Sequence, residues 1–159
     1  SRLPAGSQIL DLGPGIGVPS IHLATAFGHQ VTAVDLENAA TLPFLAWRKR
    51  FNKLDDTVFQ IRTFTTPVPE FATQVDCVIM LSMLDHCYYA YRTLAWAINQ
   101  LRPGGLLLCD YHTASKVYNN EPQHLITYDQ YTLASWLRDR GMDESPKFPE
   151  WMFIKREGV

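Results

Sequence analysis

"ILDLGPGIGV", residues 9–18, closes an apolar run with an acid, three glycines and a proline. Glycines at the end of a strand let the backbone turn through conformations closed to other residues and approach a ligand closely. The stretch that follows carries Val18, Ile21, Ala24 and Phe27 at the spacing of one helical face, with Pro19 suited to a first turn. Gly28 stops that helix, and QVTAVDL at 30–36 is β-branched enough for a second strand. Strand, glycine loop, helix and strand in that order make a βαβ unit, the beginning of a parallel sheet.

The alternation continues to the end of the chain. A second helix is expected from Thr41 or Leu42, with Pro43 in its first turn and Phe44, Trp47, Phe51 and Leu54 as its buried seam. A third strand is expected at 57–64, and VDCVIML at 75–81 is the unbroken apolar run of a central strand buried on both faces. From His86 onward, Tyr88, Tyr91, Leu94, Ala95, Ile98 and Leu101 recur at helical spacing; RPGG at 102–105 then turns the chain into a fifth strand, LLLCDY. Thr127 and Gln130 form a capping box for a helix running to Gly141, and 143–148 pairs with 151–156 through Pro149 and Glu150 as two edge strands. The expected fold class is α/β: a doubly wound, mostly parallel seven-stranded sheet with helices on both faces. Ligands of such sheets bind at the carboxyl ends of the strands, here the loops after residues 12, 35, 64, 81 and 111.

At 159 residues, 47% of them hydrophobic and 19% charged, the chain has the size of a single domain, 1–159. Fourteen Lys and Arg against sixteen Asp and Glu give a net charge of −2, so no global basic field gathers nucleic acid or anionic membrane. Cys77, Cys87 and Cys109 show no metal-ligand spacing and read as buried thiols of a reducing compartment. No apolar run reaches the roughly 20 residues of a membrane span, and a cytoplasmic protein without membrane partners is expected. The chain opens on Ser1 with a strand almost at once, which suggests an excised part of a longer protein.

The loop itself argues against a dinucleotide. Gly13, Gly15 and Gly17 are spaced G-x-G-x-G, whereas a dinucleotide motif puts its third glycine where Val18 stands. Asp11 would repel a pyrophosphate at the following helix and attract a cation. Asp11, Gly13, Gly15 and Gly17 together resemble the first motif of the class I S-adenosylmethionine-dependent methyltransferases, which are Rossmann-like, and VDCVIML and LRPGGLLLCD extend the resemblance over nearly the whole chain. The resemblance implies S-adenosyl-L-methionine as cofactor, with a sulfonium, an ammonium and no phosphate. It also implies that Asp35, eighteen residues beyond Gly17, accepts the ribose hydroxyls, and that Leu36, Phe64 and Leu81 join the cofactor site. Two departures stand out: TFTTPVPEF at 63–71 lacks the Asp or Asn that often meets adenine, and most of the helices that usually precede the first strand have no counterpart.

The resemblance implies methyl transfer to a small-molecule oxygen or nitrogen. An acceptor that must lose its proton needs a base, for which His86 is favoured, His112 stands behind it, and Asp85 is a third candidate. The plainer roles are an N-cap for Asp85 and a surface or packed position for His86. Asp110 and His112 face the same choice. The same stretch is also similar to metal-assisted O-methyltransferases, yet Met83 replaces one expected acid; Asp85 and Asp110 could share a divalent cation, but no metal is expected. Residues 111–126 form the candidate substrate lid, and Tyr88, Tyr89, Tyr111 and Tyr118 are candidate aromatic walls. An additional segment or subunit could complete that lid. Two other readings stay open: a SAM-binding module without independent catalysis, and a nucleic-acid methyltransferase using the basic stretch RKRFNK at 48–53, whose plainer role is a solvated helix face.

Overall fold

Ile9 and Leu10 are both buried, yet they belong to two different cores, because successive side chains of a strand point to opposite faces. The computed structural model describes residues 3–65, 74–87, 89–110, 130–148 and 151–158, with the backbone alone at Asp85, Gln130 and Tyr131. In chain order the elements are β1 (Gln8–Leu12), α1 (Val18–Phe27), β2 (Gln30–Leu36), α2 (Leu42–Phe51), β3 (Phe59–Phe64) and β4 (Val75–Met80). A 3₁₀ turn at Leu84–His86 follows, then α3 (Ala90–Gln100), β5 (Leu101–Cys109), α4 (Gln130–Arg138), β6 (Met142–Glu144) and β7 (Met152–Lys155). The seven strands form one sheet in the order β3-β2-β1-β4-β5-β7-β6, parallel except for β7, which runs antiparallel to β5 and β6. The doubly wound α/β fold expected from the sequence is the one observed.

Ile21 and Ala24 of α1 and Leu45 of α2 pack on the face that carries Ile9, Cys77 and Ile79. Leu94, Ala97 and Ile98 of α3 and Leu133 and Leu137 of α4 cover the other face over Leu10, Val78 and Met80. Every residue of β4 is buried, as its apolar run requires. Between the two layers the winding reverses at β1, which pairs with β2 on one side and β4 on the other; this opens a crevice at its carboxyl end. Lys155 of β7 is buried and donates from Nζ to the Ile98 and Leu101 carbonyls, at 3.0 and 2.6 Å, closing the end of α3. None of the described helices is long and apolar enough to cross a membrane.

Several local expectations need correction. In α2 the aromatics are not a buried seam: Phe44, Trp47 and Phe51 are 47%, 46% and 71% exposed and stack on one another, while Leu45 is the buried residue. Val18 and Phe27, at the two ends of α1, are exposed as well. The helix expected from His86 begins at Ala90, after the 3₁₀ turn, and RPGG lies within the span of β5, where the pairing with β4 shifts register. The helix opened by Gln130 ends at Arg138, short of Gly141. Of the two strands expected at an edge, β6 lies there and β7 is interior, because β7 returns to pair with β5. Thr127 and the Pro149–Glu150 turn lie outside the described residues.

Candidate functional site

The loop after β1 is held at both ends. The Gly13 N–H donates to the Val34 carbonyl at 2.9 Å, extending the sheet by one residue, and the Gly17 N–H donates to Pro14 at 2.8 Å as the chain enters α1. Gly13, Gly15 and Gly17 all have positive φ, at 64°, 54° and 71°, where a side chain is strained. Their surroundings differ. A Cβ on Gly17 would stand 2.2 Å from Leu45 Cδ1, and one on Gly13 would stand 2.8 Å from Met83 Cγ, whereas one on Gly15 would meet nothing within 4 Å. Two of the three glycines therefore make room for the protein's own side chains, and Gly15 opens onto free space.

That space belongs to a cavity of 270 Å³ at the carboxyl edge, bounded by Gly13 and Gly15 after β1, Asp35 and Leu36 at the end of β2, Phe64 at the end of β3 and His86 after β4. Asp35 is half-buried; its Oδ1 accepts the Leu36 N–H at 2.8 Å, and burial raises its pKa above the ordinary carboxylate value. Ala39 and Thr41, ahead of α2, also reach the cavity, as do Met83, Cys87 and Thr93. Thr41 is the N-cap residue of α2, yet its hydroxyl makes no capping hydrogen bond. Sequence reading missed these contributors because nothing in their local spacing marks them.

Asp11, Gly17 and Leu81 are not part of the cavity wall. Asp11 is buried and accepts a hydrogen bond from Ser20 Oγ of α1. Burial pushes its pKa up to about 7, the Ser20 hydrogen bond opposes that rise, and the charge of Asp35 adds to it. Leu81 packs with the core under α1 and α2.

At the other end of the crevice the chain leaves β4 through Ser82, whose φ of 50° is unusual for a residue with a side chain. Asp110, just past β5, accepts from the Ser82 N–H and, at 3.3 Å, from its hydroxyl. The Asp110 carboxylate is thus engaged in bracing the loop after β4. His86 is exposed, at the end of the 3₁₀ turn, and its N–H donates to the Met83 carbonyl at 3.1 Å. Asp85 lies in that turn rather than at the start of an α-helix, whose N-cap is Tyr89. Tyr89 is exposed and outside the cavity wall, and Tyr91 packs on Trp136 with ring centroids 5.0 Å apart. Among the described residues no three His, Cys, Asp or Glu side chains converge on a metal position. His112, the 111–126 lid, Tyr88, Tyr111 and Tyr118 lie outside the described residues.

The basic stretch at 48–53 is partly used inside the fold. Arg48 Nη1 donates to the Ile16 carbonyl of the glycine loop at 2.7 Å, and Lys49 pairs with Asp56.

A family model described as Methyltransferase domain matches residues 1–144. Among solved structures, the (4+2)-cyclase SpnF is 21% identical, with a TM-score of 0.73 over 89% of this chain and 52% of that one. Phosphoethanolamine N-methyltransferase 2 of Haemonchus contortus, in complex with S-adenosyl-L-methionine, is 21% identical with a TM-score of 0.73 over 90% of this chain and 34% of that one. An O-methyltransferase family protein from Burkholderia thailandensis is 16% identical with a TM-score of 0.72 over 96% and 52%. The chain spans about half the length, or less, of these proteins, and at such identities the likeness is one of fold. No curated protein matches the chain. With the family model covering residues 1–144 and the strand order of the sheet in agreement, the chain belongs to the class I S-adenosylmethionine-dependent methyltransferase family.

Proposed function

We propose that this domain binds S-adenosyl-L-methionine in the cavity at its carboxyl edge and transfers the methyl group to an oxygen or nitrogen of a small molecule. One observation carries the reading: the unobstructed side of Gly15, the Asp35 carboxylate and His86 all border a single cavity. In this reading Asp35 accepts the two ribose hydroxyls, since its Oδ2 makes no hydrogen bond among the described residues. Leu36 and Phe64 sandwich the adenine, and Thr41 supplies a polar contact where the end of β3 offers no Asp or Asn. Gly13 and Gly15 lie along the methionine portion. Gly17 and Asp11 act from behind, the one as the start of α1 and the other as a buried carboxylate beneath the loop, while Leu81 supports the site through the core.

The sulfonium brings an activated methyl group, so the protein's work is to orient the acceptor and exclude water. His86 borders the cavity and takes the proton that the acceptor loses as it is methylated. His112 and Asp85 are the reserve candidates, and a further segment or subunit would close the acceptor side. The slightly acidic chain and the internal engagement of Arg48 and Lys49 favour a small molecule over a nucleic acid.

Titration calorimetry with S-adenosyl-L-methionine, its demethylated product and NAD tests the cofactor. Saturable binding of the first two is expected, with Asp35→Ala weakening it about a hundredfold through two lost charge-assisted hydrogen bonds. NAD binding without either of the others sinks the reading, and an unchanged dissociation constant in Asp35→Ala misplaces the ribose. A second reading, a cofactor-binding domain without independent methyl transfer, is favoured by the neighbour that is a cyclase. Saturable cofactor binding with no methylated product from any hydroxyl or amine acceptor would select it.

A further inference from the structure

We propose that Arg48 is a positioning residue for the cofactor, holding the middle of the glycine loop in its binding shape from the neighbouring helix. The inference rests on the cofactor reading of the cavity above. Gly13 is fixed by its sheet hydrogen bond and by Met83, and Gly17 by Pro14 and by Leu45. Between those anchors lies the segment that borders the open space, and there the Arg48 guanidinium takes the Ile16 carbonyl at 2.7 Å.

α2 can make this contact because of helical spacing. Leu45 and Arg48 are three residues apart and so lie on adjoining parts of one face. Leu45, fully buried, fills the space a side chain at Gly17 would need. Arg48, half-buried, reaches past it to the next carbonyl up the loop. The guanidinium makes no ion pair with an acid among the described residues, so its one described polar contact is with the loop. The chain just before α2 meanwhile supplies Ala39 and Thr41 to the cavity wall. A single helix thus sets both the loop and part of the wall that faces it.

Without Arg48 the loop samples conformations that do not bind, and the apparent dissociation constant rises by the inverse of the competent fraction. Arginine suits the role because its planar donor group loses little freedom for each hydrogen bond formed.

The test compares wild type, Arg48→Ala and Arg48→Lys by calorimetry with the demethylated cofactor, alongside hydrogen exchange of the loop amides in ligand-free protein. Arg48→Ala is expected to weaken binding about three- to tenfold and to speed exchange at Gly17, whose N–H donates to the Pro14 carbonyl, with the melting temperature nearly unchanged because the contact is at the surface. Arg48→Lys, which keeps a donor and a positive charge, restores most of both. Equal affinity and equal loop exchange in wild type and Arg48→Ala overturn the proposal. So does a loss of affinity with loop exchange unaltered, which would assign Arg48 to a direct contact with the ligand. If wild type binds no cofactor, the cavity reading fails by itself, and the exchange comparison still decides whether Arg48 holds the loop.

Discussion

The two ends of the carboxyl-edge crevice are built by different means. At the β1–β2 end, regular strands run into a loop whose two ends are set by backbone, with positive φ at three glycines, a sheet hydrogen bond from Gly13 and the helix start at Gly17, and whose middle is braced by Arg48. At the β4–β5 end the shape is set by side chains. Asp110 braces Ser82 from across the sheet, Met83 lies against Gly13, and a lone 3₁₀ turn presents His86. A loop defined by backbone is conformationally narrow and suits an invariant ligand such as a shared cofactor. A loop defined by side chains can be rebuilt by few substitutions, which suits an end that meets varied acceptors.

The largest effect that separates the ends is the cost of the buried acid behind the glycine loop. Asp11 has a folded-state pKa near 7 against an ordinary value of 3.8. Because the folded value is the higher one, the native state holds a proton that the unfolded chain has released, and stability from this group is lost as pH rises from about 4 through about 7. Asp11→Asn keeps a carbonyl oxygen to accept from Ser20 and cannot ionise. The variant is therefore expected to match wild type near pH 4 and to exceed it by about 4 kcal/mol above pH 7, read from denaturant unfolding at a series of pH values. A constant difference across that range would mean that Asp11 is solvated, and that the backbone-built end carries no buried charge.

Next in size is a contrast within the loop. Gly17→Ala is expected to destabilise by about 2–3 kcal/mol, combining left-handed strain with displacement of the buried Leu45. Gly15→Ala carries the strain alone, about 1 kcal/mol, and should instead weaken cofactor binding, because its methyl group enters the open space. Thermal unfolding and calorimetry on both variants check the pair. Reversed effects, with Gly15 the more damaging to stability and Gly17 to binding, would exchange their assignments.

This division also explains how far the sequence could be read. Backbone-built features leave local signs: glycines at fixed spacing, an acid one strand later, apolar runs of strand length. The alternation of parallel strands and helices and the position of Asp35 at the carboxyl edge follow from such signs. The α2 aromatics show the limit, since Phe44, Trp47 and Phe51 do share a face as their spacing says, but periodicity does not state which face turns inward. Leu45, a single residue with Gly17 opposite it, decides that, and the contact lies in the tertiary structure. The Ser82–Asp110 brace joins residues 28 apart in the chain, and β7 enters the sheet between β5 and β6; neither leaves a local pattern.

The smallest effect lies at the side-chain-built end, and it tests whether the two ends are separable. Asp110→Ala removes the acceptor of the Ser82 N–H, and Ser82 keeps its positive φ of 50° without the hydrogen bond that held it there. The brace is at the surface, so the expected cost is about 1 kcal/mol, or about 3 °C in melting temperature. Adding Ser82→Gly to Asp110→Ala should recover part of that loss, because glycine occupies this φ without strain. Exchange at the amides of 82–86 should accelerate in Asp110→Ala, while affinity for the demethylated cofactor should stay at the wild-type value, since no backbone atom of the glycine loop depends on the brace. Among the described residues Met83, which lies against Gly13, is the bridge by which a disturbance would cross. A weakening of cofactor binding in Asp110→Ala comparable to that of Gly15→Ala would show that it does, and the crevice would then have to be treated as a single unit.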